Sequence, residues 1–229
     1  MRSFFESFLN LIYPRLCVCC GAPLVKHEHF ICSACEYELP LTRFHHQEDN
    51  PVARLFWGRV YFQYASAYLQ FQKHSRVQKI IHHIKYHEGK ALAIEMGRRA
   101  GMELISSPLQ TVDMIVPVPL HSSKERLRGF NQSLLIAEGM AQVMQKPVHN
   151  TCLVRTKASG TQTHHSRYAR WENVEGIFAV RHPEQIAGKH LLLVDDVVTT
   201  GATAEACGTA LLTVTGVKVS FMALAMAVN

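Results

Sequence analysis

The stretch LLLVDDVVTTGAT, from Leu191 to Thr203, decides the fold class of this chain. Its first four residues are apolar and uninterrupted, which is typical of a strand buried on both faces of a parallel sheet. Two carboxylates, Asp195 and Asp196, follow at once, and burying two neighbouring charges is costly unless something uses them. Threonines and a glycine then lead into a helix, and such a turn brings backbone N–H groups and hydroxyls close to a bound anion.

The position of the two aspartates indicates the kind of ligand. In open α/β sheets, ligands bind beyond the carboxyl ends of the strands. Two carboxylates accept hydrogen bonds from vicinal hydroxyls, and the loop Thr199–Thr203 can hold a phosphate, so a sugar phosphate with a free diol satisfies both. The loop is not a P-loop, and the chain has no Gly-x-Gly-x-x-Gly fingerprint. The alternative, a helix N-cap with incidental acids, explains the threonines but not the paired aspartates.

Strand and helix patterns alternate along the chain. Apolar residues at i, i+3, i+4 and i+7 predict a helix that contains Val77, Ile80, Ile81 and Ile84 and ends at Gly89. We predict further helices at Lys90–Leu104, Asn131–Met144 and Thr203–Thr213, and strands at Arg59–Phe71, Asp113–Leu120, Ile177–Val180, His190–Val197 and Gly216–Val228. Strands that alternate with helices predict an α/β fold, with a parallel sheet flanked by helices on both faces.

Five of the seven cysteines fall between residues 17 and 35. Cys17-x2-Cys20 and Cys32-x2-Cys35 form two metal knuckles that together complete a tetrahedral zinc site. Cys19 is an extra thiol, so either Cys17 or Cys19 is the first ligand, and the matching two-residue gaps favour Cys17. Disulfides or free thiols are the alternatives. A closed site of four thiolates is structural, because no position stays open for water.

The N-terminal residues 1–16 carry apolar side chains at the spacing of one helical face. We expect a short amphipathic helix there and not a signal peptide, because Glu6 and Asn10 interrupt the run and no small-residue cleavage site follows. Attachment of this helix to a membrane surface is the alternative. No apolar run reaches the roughly eighteen residues of a membrane span, so we expect a cytoplasmic protein. We predict two units, a helix and zinc module at 1–45 and a larger domain at 46–229.

The net charge of +6 is concentrated in residues 121–170, where eight Lys or Arg stand against two Glu and account for the whole excess. A surplus confined to one segment indicates a local anionic ligand, such as phosphate, pyrophosphate or nucleic acid; a solvated basic face is the alternative. The segment 154–176 is polar and unpatterned. A loop of this length inside a compact domain often acts as a functional lid.

Motifs along almost the whole chain resemble those of one family. LLLVDDVVTTGAT is similar to the phosphoribosyl-pyrophosphate (PRPP) motif of type I phosphoribosyltransferases. The chain resembles the ComF-type competence-associated branch of that family through the cysteine module, IKYHEGK (84–90), IVPVPL (115–120), RGFNQS (128–133) and RTKASGTQTHHSRYARWENVEGIF (155–178). The departures from the family pattern are Cys19 and a last strand, ALAMAVN, that ends without a basic residue.

The resemblance implies a role for each matching position. Asp195 and Asp196 would hold the ribose hydroxyls, the turn after IVPVPL would be the pyrophosphate loop, and the basic segment with Arg155, Lys157 and Arg170 would close over the site. Arg128 would either reach the site or cap a helix. The catalytic residues implied are Asp195, Asp196, Arg155 and Lys157, and the PRPP-binding residues are Asp195, Asp196, Val198, Thr199, Thr200, Gly201, Ala202, Thr203, Pro119, Leu120, Arg128, Gln162 and Arg167.

The resemblance implies a glycosyltransferase that acts on pentosyl groups, with structural zinc and with Mg²⁺ bound alongside PRPP. Two alternatives remain: a PRPP- or nucleotide-binding protein without catalysis, and a factor that handles single-stranded DNA together with DNA-uptake proteins in natural competence. The acid pair favours a sugar phosphate over DNA alone. Tyr168 and Trp171 are too few for a convincing stacking platform.

Overall fold

A computed structural model describes residues 14–86, 89–156 and 177–228. The strands are β1 Ala65–Phe71, β2 Met114–Pro117, β3 Leu153–Arg155, β4 Phe178–Val180, β5 His190–Val198 and β6 Lys218–Ala227. The α-helices are α1 Ser33–Tyr37, α2 Pro51–Arg54, α3 Arg76–Tyr86, α4 Lys90–Leu104, α5 Ser122–Arg128, α6 Gln132–Met144 and α7 Ala202–Leu212. Short 3₁₀ turns lie at Phe44–His46, Pro108–Thr111 and Pro183–Gln185.

Four strands form a parallel sheet in the order β1-β6-β5-β2. The strand β5 lies inside it, with Leu193 in register with Phe221 of β6 and with Val116 of β2. The predicted α/β fold with a parallel sheet flanked by helices is therefore confirmed. The apolar run of the quoted stretch is the interior strand that its composition predicted.

The two faces of β5 contribute to two different apolar clusters. Leu192 and Val194 pack with residues of α3, α4 and α6, whereas Leu191 and Leu193 pack with residues of α7 and of the segment 52–56. All four side chains are fully buried. Burial on both faces explains why this strand shows no alternation of polar and apolar residues.

Helices α4 and α6 pack so closely that no side chain fits between them at two positions. A Cβ at Gly97 would lie 2.2 Å from the carbonyl oxygen of Ile136, and a Cβ at Gly139 would lie 2.1 Å from that of Ile94. Each helix therefore needs a residue without a side chain at the point where the other crosses it. This contact fixes the position of α6, whose first turn reaches the carboxyl end of β5.

The cysteine module packs on the main body of the chain. Cys17, Cys19 and Cys35 belong to the same apolar cluster as residues of α3 and α4. Backbone bonds join the segment after the module to β1, among them Thr42 N–H to the Tyr68 carbonyl at 3.0 Å. The predicted boundary near residue 45 thus lies next to a continuous core, and the division into 1–45 and 46–229 stays a prediction.

The helix predictions are close to the observed bounds, but three local predictions differ from the structure. The strand predicted at Arg59–Phe71 begins only at Ala65, because Arg59 and Val60 donate back to the Phe56 carbonyl in a turn. Strand β4 pairs antiparallel with β3 in a separate two-stranded sheet. The turn predicted after IVPVPL contains the short helix α5.

Two predictions fall outside the described residues. The amphipathic helix was predicted within residues 1–16, of which the structure describes only 14–16, and most of the basic segment lies at 157–176. Among the helices of the described ranges, none has both the length and the apolar character that crossing a bilayer requires.

Candidate functional site

The two aspartates stand near the carboxyl end of β5 and contact different helices. Asp195 Oδ1 accepts a hydrogen bond from the hydroxyl of Ser133, at the start of α6, at 2.9 Å. Asp196 Oδ2 forms an ion pair with the ammonium of Lys85, on the last turn of α3, at 2.8 Å. Both aspartates are partly buried, and both remain partly open to solvent.

The environment of Asp195 favours its protonated form. Burial, followed by the neighbouring charge of Asp196, raises the pKa of Asp195 to about 7. The hydrogen bonds from the Asp196 N–H and the Ser133 hydroxyl, and the charge of Lys85, act in the opposite direction but do not outweigh these causes. Near neutral pH this carboxyl group can therefore donate or accept a hydrogen bond, which suits a partner that is itself a hydroxyl.

The loop after β5 forms a small cavity at the start of α7. The cavity has a volume of about 60 Å³ and is lined by Asp195 and by residues from Val197 to Ala204. Gly201 is the N-cap of α7 and has a φ of 78°, and no side chain caps the helix. The N–H groups of the first turn are thus available to an anion, with the positive end of the helix behind them. The predicted residues Val198, Thr199, Thr200, Gly201, Ala202 and Thr203 all lie in this wall.

The segment between α2 and β1 supports this loop from outside. A Cβ at Gly201 would lie 2.7 Å from the ring of Phe56, which is buried. The guanidinium of Arg59 donates to the carbonyl of Thr200 at 2.8 Å and forms an ion pair with Glu205. Both residues contact the loop or the helix that follows it, and the sequence pattern did not single out either of them.

The predicted pyrophosphate loop starts close to the acid pair. Pro119 and Leu120 are half-buried and follow β2, the neighbour of β5. Arg128 donates to the side chain of Gln132 at 2.9 Å and lies over the ring of Tyr86, with 5.7 Å to the ring centroid. The Arg128 guanidinium thus contacts the side chain of the first residue of α6, and the choice between reaching the site and capping a helix stays open.

The basic segment is only partly described. Arg155 lies in β3, and its guanidinium covers the ring of Phe178 at 5.4 Å from the centroid. Lys157, Gln162, Arg167 and Arg170 lie outside the described residues. The structure therefore places the start of this segment on a two-stranded sheet and leaves its predicted role untested.

The cysteine module brings together the four thiols predicted from their spacing. The sulfur atoms of Cys17, Cys20, Cys32 and Cys35 all lie within 4.8 Å of one another. A zinc ion with bonds of about 2.3 Å holds its sulfurs about 3.8 Å apart in a tetrahedron, and the Cys20–Cys32 distance is 3.7 Å. The four residues therefore fit a closed tetrathiolate zinc site.

The structure also separates Cys17 from Cys19. Burial acts to raise the pKa of Cys17, but backbone N–H groups of both knuckles lower it to about 6, which favours the thiolate that binds metal. Cys19 points into the core, where burial raises its pKa to about 12. Its carbonyl accepts a hydrogen bond from Lys79 at 2.6 Å. Cys17 is thus the member of the cluster, and Cys19 joins the module to α3.

Lys85 and Ser133 are the two contacts of the acid pair that sequence reasoning missed. In the sequence analysis, Lys85 occurs only as a residue of the IKYHEGK motif and Ser133 only as a residue of the RGFNQS motif. They lie 111 and 62 positions from their partners. One feature of the sequence could have indicated them, because both residues lie inside motifs through which the chain resembles the ComF-type proteins.

Several known proteins are similar in sequence to this chain. No protein-family model matches the chain. The DNA utilization protein YhgH of Escherichia coli K12 is 30% identical over 215 residues, which cover 84% of this chain and 88% of that protein. Competence protein F of Haemophilus influenzae is 31% identical over 96 residues, 42% of each chain. Competence protein ComFC of Bacillus subtilis is 34% identical over 92 residues, 39% of this chain and 34% of that protein.

Solved structures similar to this chain include phosphoribosyltransferases. An allosteric regulatory enzyme of purine biosynthesis is 20% identical with a TM-score of 0.41, over 57% of this chain and 26% of that one. Adenine phosphoribosyltransferase of Saccharomyces cerevisiae is 13% identical with a TM-score of 0.33, over 66% and 68%. The match to the Escherichia coli relative extends over most of both chains. This chain belongs to the family of ComF-type competence-associated and DNA utilization proteins.

Proposed function

We propose that this protein binds PRPP, or a closely related sugar phosphate, at the carboxyl end of β5. The observation that carries the proposal is the position of the acid pair beside the small cavity at the start of α7. The two carboxylates would bind the 2- and 3-hydroxyls of the ribose, and the loop Thr199–Thr203 would bind its 5-phosphate. A cavity of about 60 Å³ has room for a few water-sized groups, which suits a phosphate and not a base.

The proposed chemistry is transfer or release of the phosphoribosyl group. Loss of pyrophosphate from the anomeric carbon passes through an oxocarbenium-like state, and the leaving group carries several negative charges. Arg155, Lys157, Gln162 and Arg167, with Pro119, Leu120 and Arg128, are the proposed contacts of the pyrophosphate and of the closed site. Preorganised positive groups stabilise such a developing charge, and closure excludes water that would hydrolyse the sugar.

Mg²⁺ suits the donors available, because carboxylate and phosphate oxygens are the ligands that it prefers. When bound with PRPP it would neutralise part of the pyrophosphate charge. Zinc is proposed at Cys17, Cys20, Cys32 and Cys35, where a closed set of thiolates supports a structural role.

A role in handling single-stranded DNA is the second candidate function. It is supported by the names of the relatives, which include a DNA utilization protein and competence proteins. The basic surplus between residues 121 and 170 is compatible with phosphate contacts of either kind. A non-catalytic PRPP-binding role is the third candidate, since fold and ligand motif do not establish turnover.

Calorimetric titration with PRPP and Mg²⁺ tests the proposal. The double variant Asp195→Asn, Asp196→Asn should bind PRPP about 2 to 4 kcal/mol more weakly, because it loses charge-assisted hydrogen bonds to the diol. Asp113→Asn is the matched control, because Asp113 Oδ2 accepts from the backbone N–H of His190 at the opposite end of β5. Equal affinity of the wild type and the double variant would reject this site.

A second measurement separates the enzyme from the binding protein. Pyrophosphate release is followed while a panel of purine and pyrimidine bases is supplied together with PRPP and Mg²⁺. Release that depends on a particular base supports transfer to that base. Tight PRPP binding without release under any condition supports the non-catalytic alternative.

A further inference from the structure

Lys85 forms an ion pair with Asp196, and a sugar that binds to Asp196 must change this contact. Its ammonium lies 2.8 Å from Asp196 Oδ2, and the two side chains are only 22% and 16% exposed. The other oxygen of Asp196 accepts the backbone N–H of Val197 at 2.6 Å. Both oxygens of the carboxylate that is proposed to bind the diol are therefore already engaged.

A sugar hydroxyl alone is a poor competitor for this carboxylate. It would replace or share a charge-assisted bond to an ammonium, and such bonds are roughly twice as strong as those between neutral groups. An ammonium that left Asp196 without another anion would remain uncompensated in a partly buried site. A ligand gains most from Asp196 when it also offers Lys85 a new anionic partner.

Lys85 contacts the acid pair from outside the cavity that is proposed to hold the 5-phosphate. Asp195 lines the cavity at the start of α7, whereas Lys85 is not among the described residues in its wall. Lys85 approaches the acid pair from the end of α3, where Ile81 and Ile84 anchor the helix in the core. The helix is therefore fixed, and the flexible four-carbon stem of the lysine supplies the reach.

We propose that Lys85 is a specificity-determining residue that releases Asp196 only to a sugar with a second anionic group, on the side of its diol away from the 5-phosphate. Lys85 then binds that group. The site thereby prefers a pentose phosphorylated at both ends to a pentose monophosphate. This inference rests on the proposed sugar-phosphate site and names its ligand discrimination.

The test compares two ligands in one Mg²⁺-containing buffer, PRPP and ribose 5-phosphate, by calorimetry. The preference is measured as the Kd of ribose 5-phosphate divided by the Kd of PRPP. Lys85→Met should lower this ratio by at least about tenfold, which corresponds to the smallest typical contribution of a charge-assisted hydrogen bond. PRPP should bind more weakly and ribose 5-phosphate at least as well as before. Lys85→Arg should keep most of the preference, because it keeps the charge.

Lys73→Met is the matched control, since Lys73 is an exposed lysine just before the other end of α3. It should leave the ratio unchanged. Thermal unfolding of each variant confirms the fold, and Lys85→Gln replaces Lys85→Met if the latter does not fold. An unchanged ratio, or an equal loss for both ligands, overturns the inference while the proposed site stands. If the wild type binds neither ligand, the proposed function fails and the inference fails with it.

Discussion

The pKa of Asp195 is raised, whereas the pKa values of Glu28 and Asp49, elsewhere in the described part of the chain, are lowered. The folded-state pKa of Asp195, about 7, lies above the ordinary value of 3.8, because burial and Asp196 oppose its ionisation. Between these two values the native state binds more protons than the unfolded state, so stability falls as the pH rises. The cost of ionising a buried Asp195 is therefore present at neutral pH and lowers the stability of the folded chain there.

We expect Asp195→Asn to become relatively more stable as the pH rises. Its free energy of unfolding, compared with that of the wild type, should increase by on the order of 2 kcal/mol between pH 5 and pH 8, because the cost of ionising Asp195 is removed. Urea unfolding at both pH values measures this difference. For Asp49→Asn we expect no such change, since Arg54 lowers the pKa of Asp49 and keeps it ionised throughout the range. A constant difference for Asp195→Asn would contradict the assigned environment.

Sequence reasoning located residues that stand out from their neighbours along the chain. The acid pair stands out because two charges follow a fully apolar run, and the four thiols stand out because of their spacing. Lys85 and Ser133 could not be found in this way. Their partners are remote in sequence, and a lysine on a helix is read as exposed unless its contact is known.

At the scale of elements, periodicity gave reliable helices and less reliable strands. The helix predicted at Lys90–Leu104 has those bounds in the structure, and Val77, Ile80, Ile81 and Ile84 are the buried residues of α3. The strand predicted at Arg59–Phe71 is too long. Phe62, which precedes Ala65, packs on the sheet face instead and stacks against Phe221 with centroids 5.8 Å apart. Strand propensity measures such packing as much as pairing.

The contact between α4 and α6 provides an element-scale prediction. Gly139→Ala should lower the free energy of unfolding by about 2 to 3 kcal/mol or more, because the new methyl group overlaps backbone atoms that cannot move independently. Chemical denaturation measures the change. Gln142→Ala, at an exposed position of the same helix, should leave stability nearly unchanged. Equal stability of the two variants would mean that the helices can separate at little cost.

At the scale of the whole molecule, the cysteine module and the sheet share one apolar cluster. Ion pairs extend the contact, since Arg99 of α4 pairs with Glu36 and Arg76 of α3 pairs with Glu38. The division of the chain into 1–45 and 46–229 stays a prediction, and the spacing of the cysteines alone did not indicate what the module packs on. The continuity of the core became visible only in three dimensions.

Removal of zinc should therefore destabilise the entire chain. We expect about one zinc per chain, and a chelator should lower the midpoint of a single thermal transition, because binding free energy at a structural site is folding free energy. Calorimetry with metal analysis measures both. Cys20→Ser should lose the metal and Cys19→Ser should retain it. A separate low-temperature transition, with the main one unchanged, would instead mean that the module unfolds independently.

The glycine contact between α4 and α6 has a consequence for the acid pair. Because this contact holds α6 firmly, Ser133 at its start has little room to move, and neither has its partner Asp195. Asp196 is instead held by Lys85, whose long side chain can bend and ends in a charge. We therefore expect a ligand to bind with different chemical groups next to Lys85, but only with one kind of group next to Ser133.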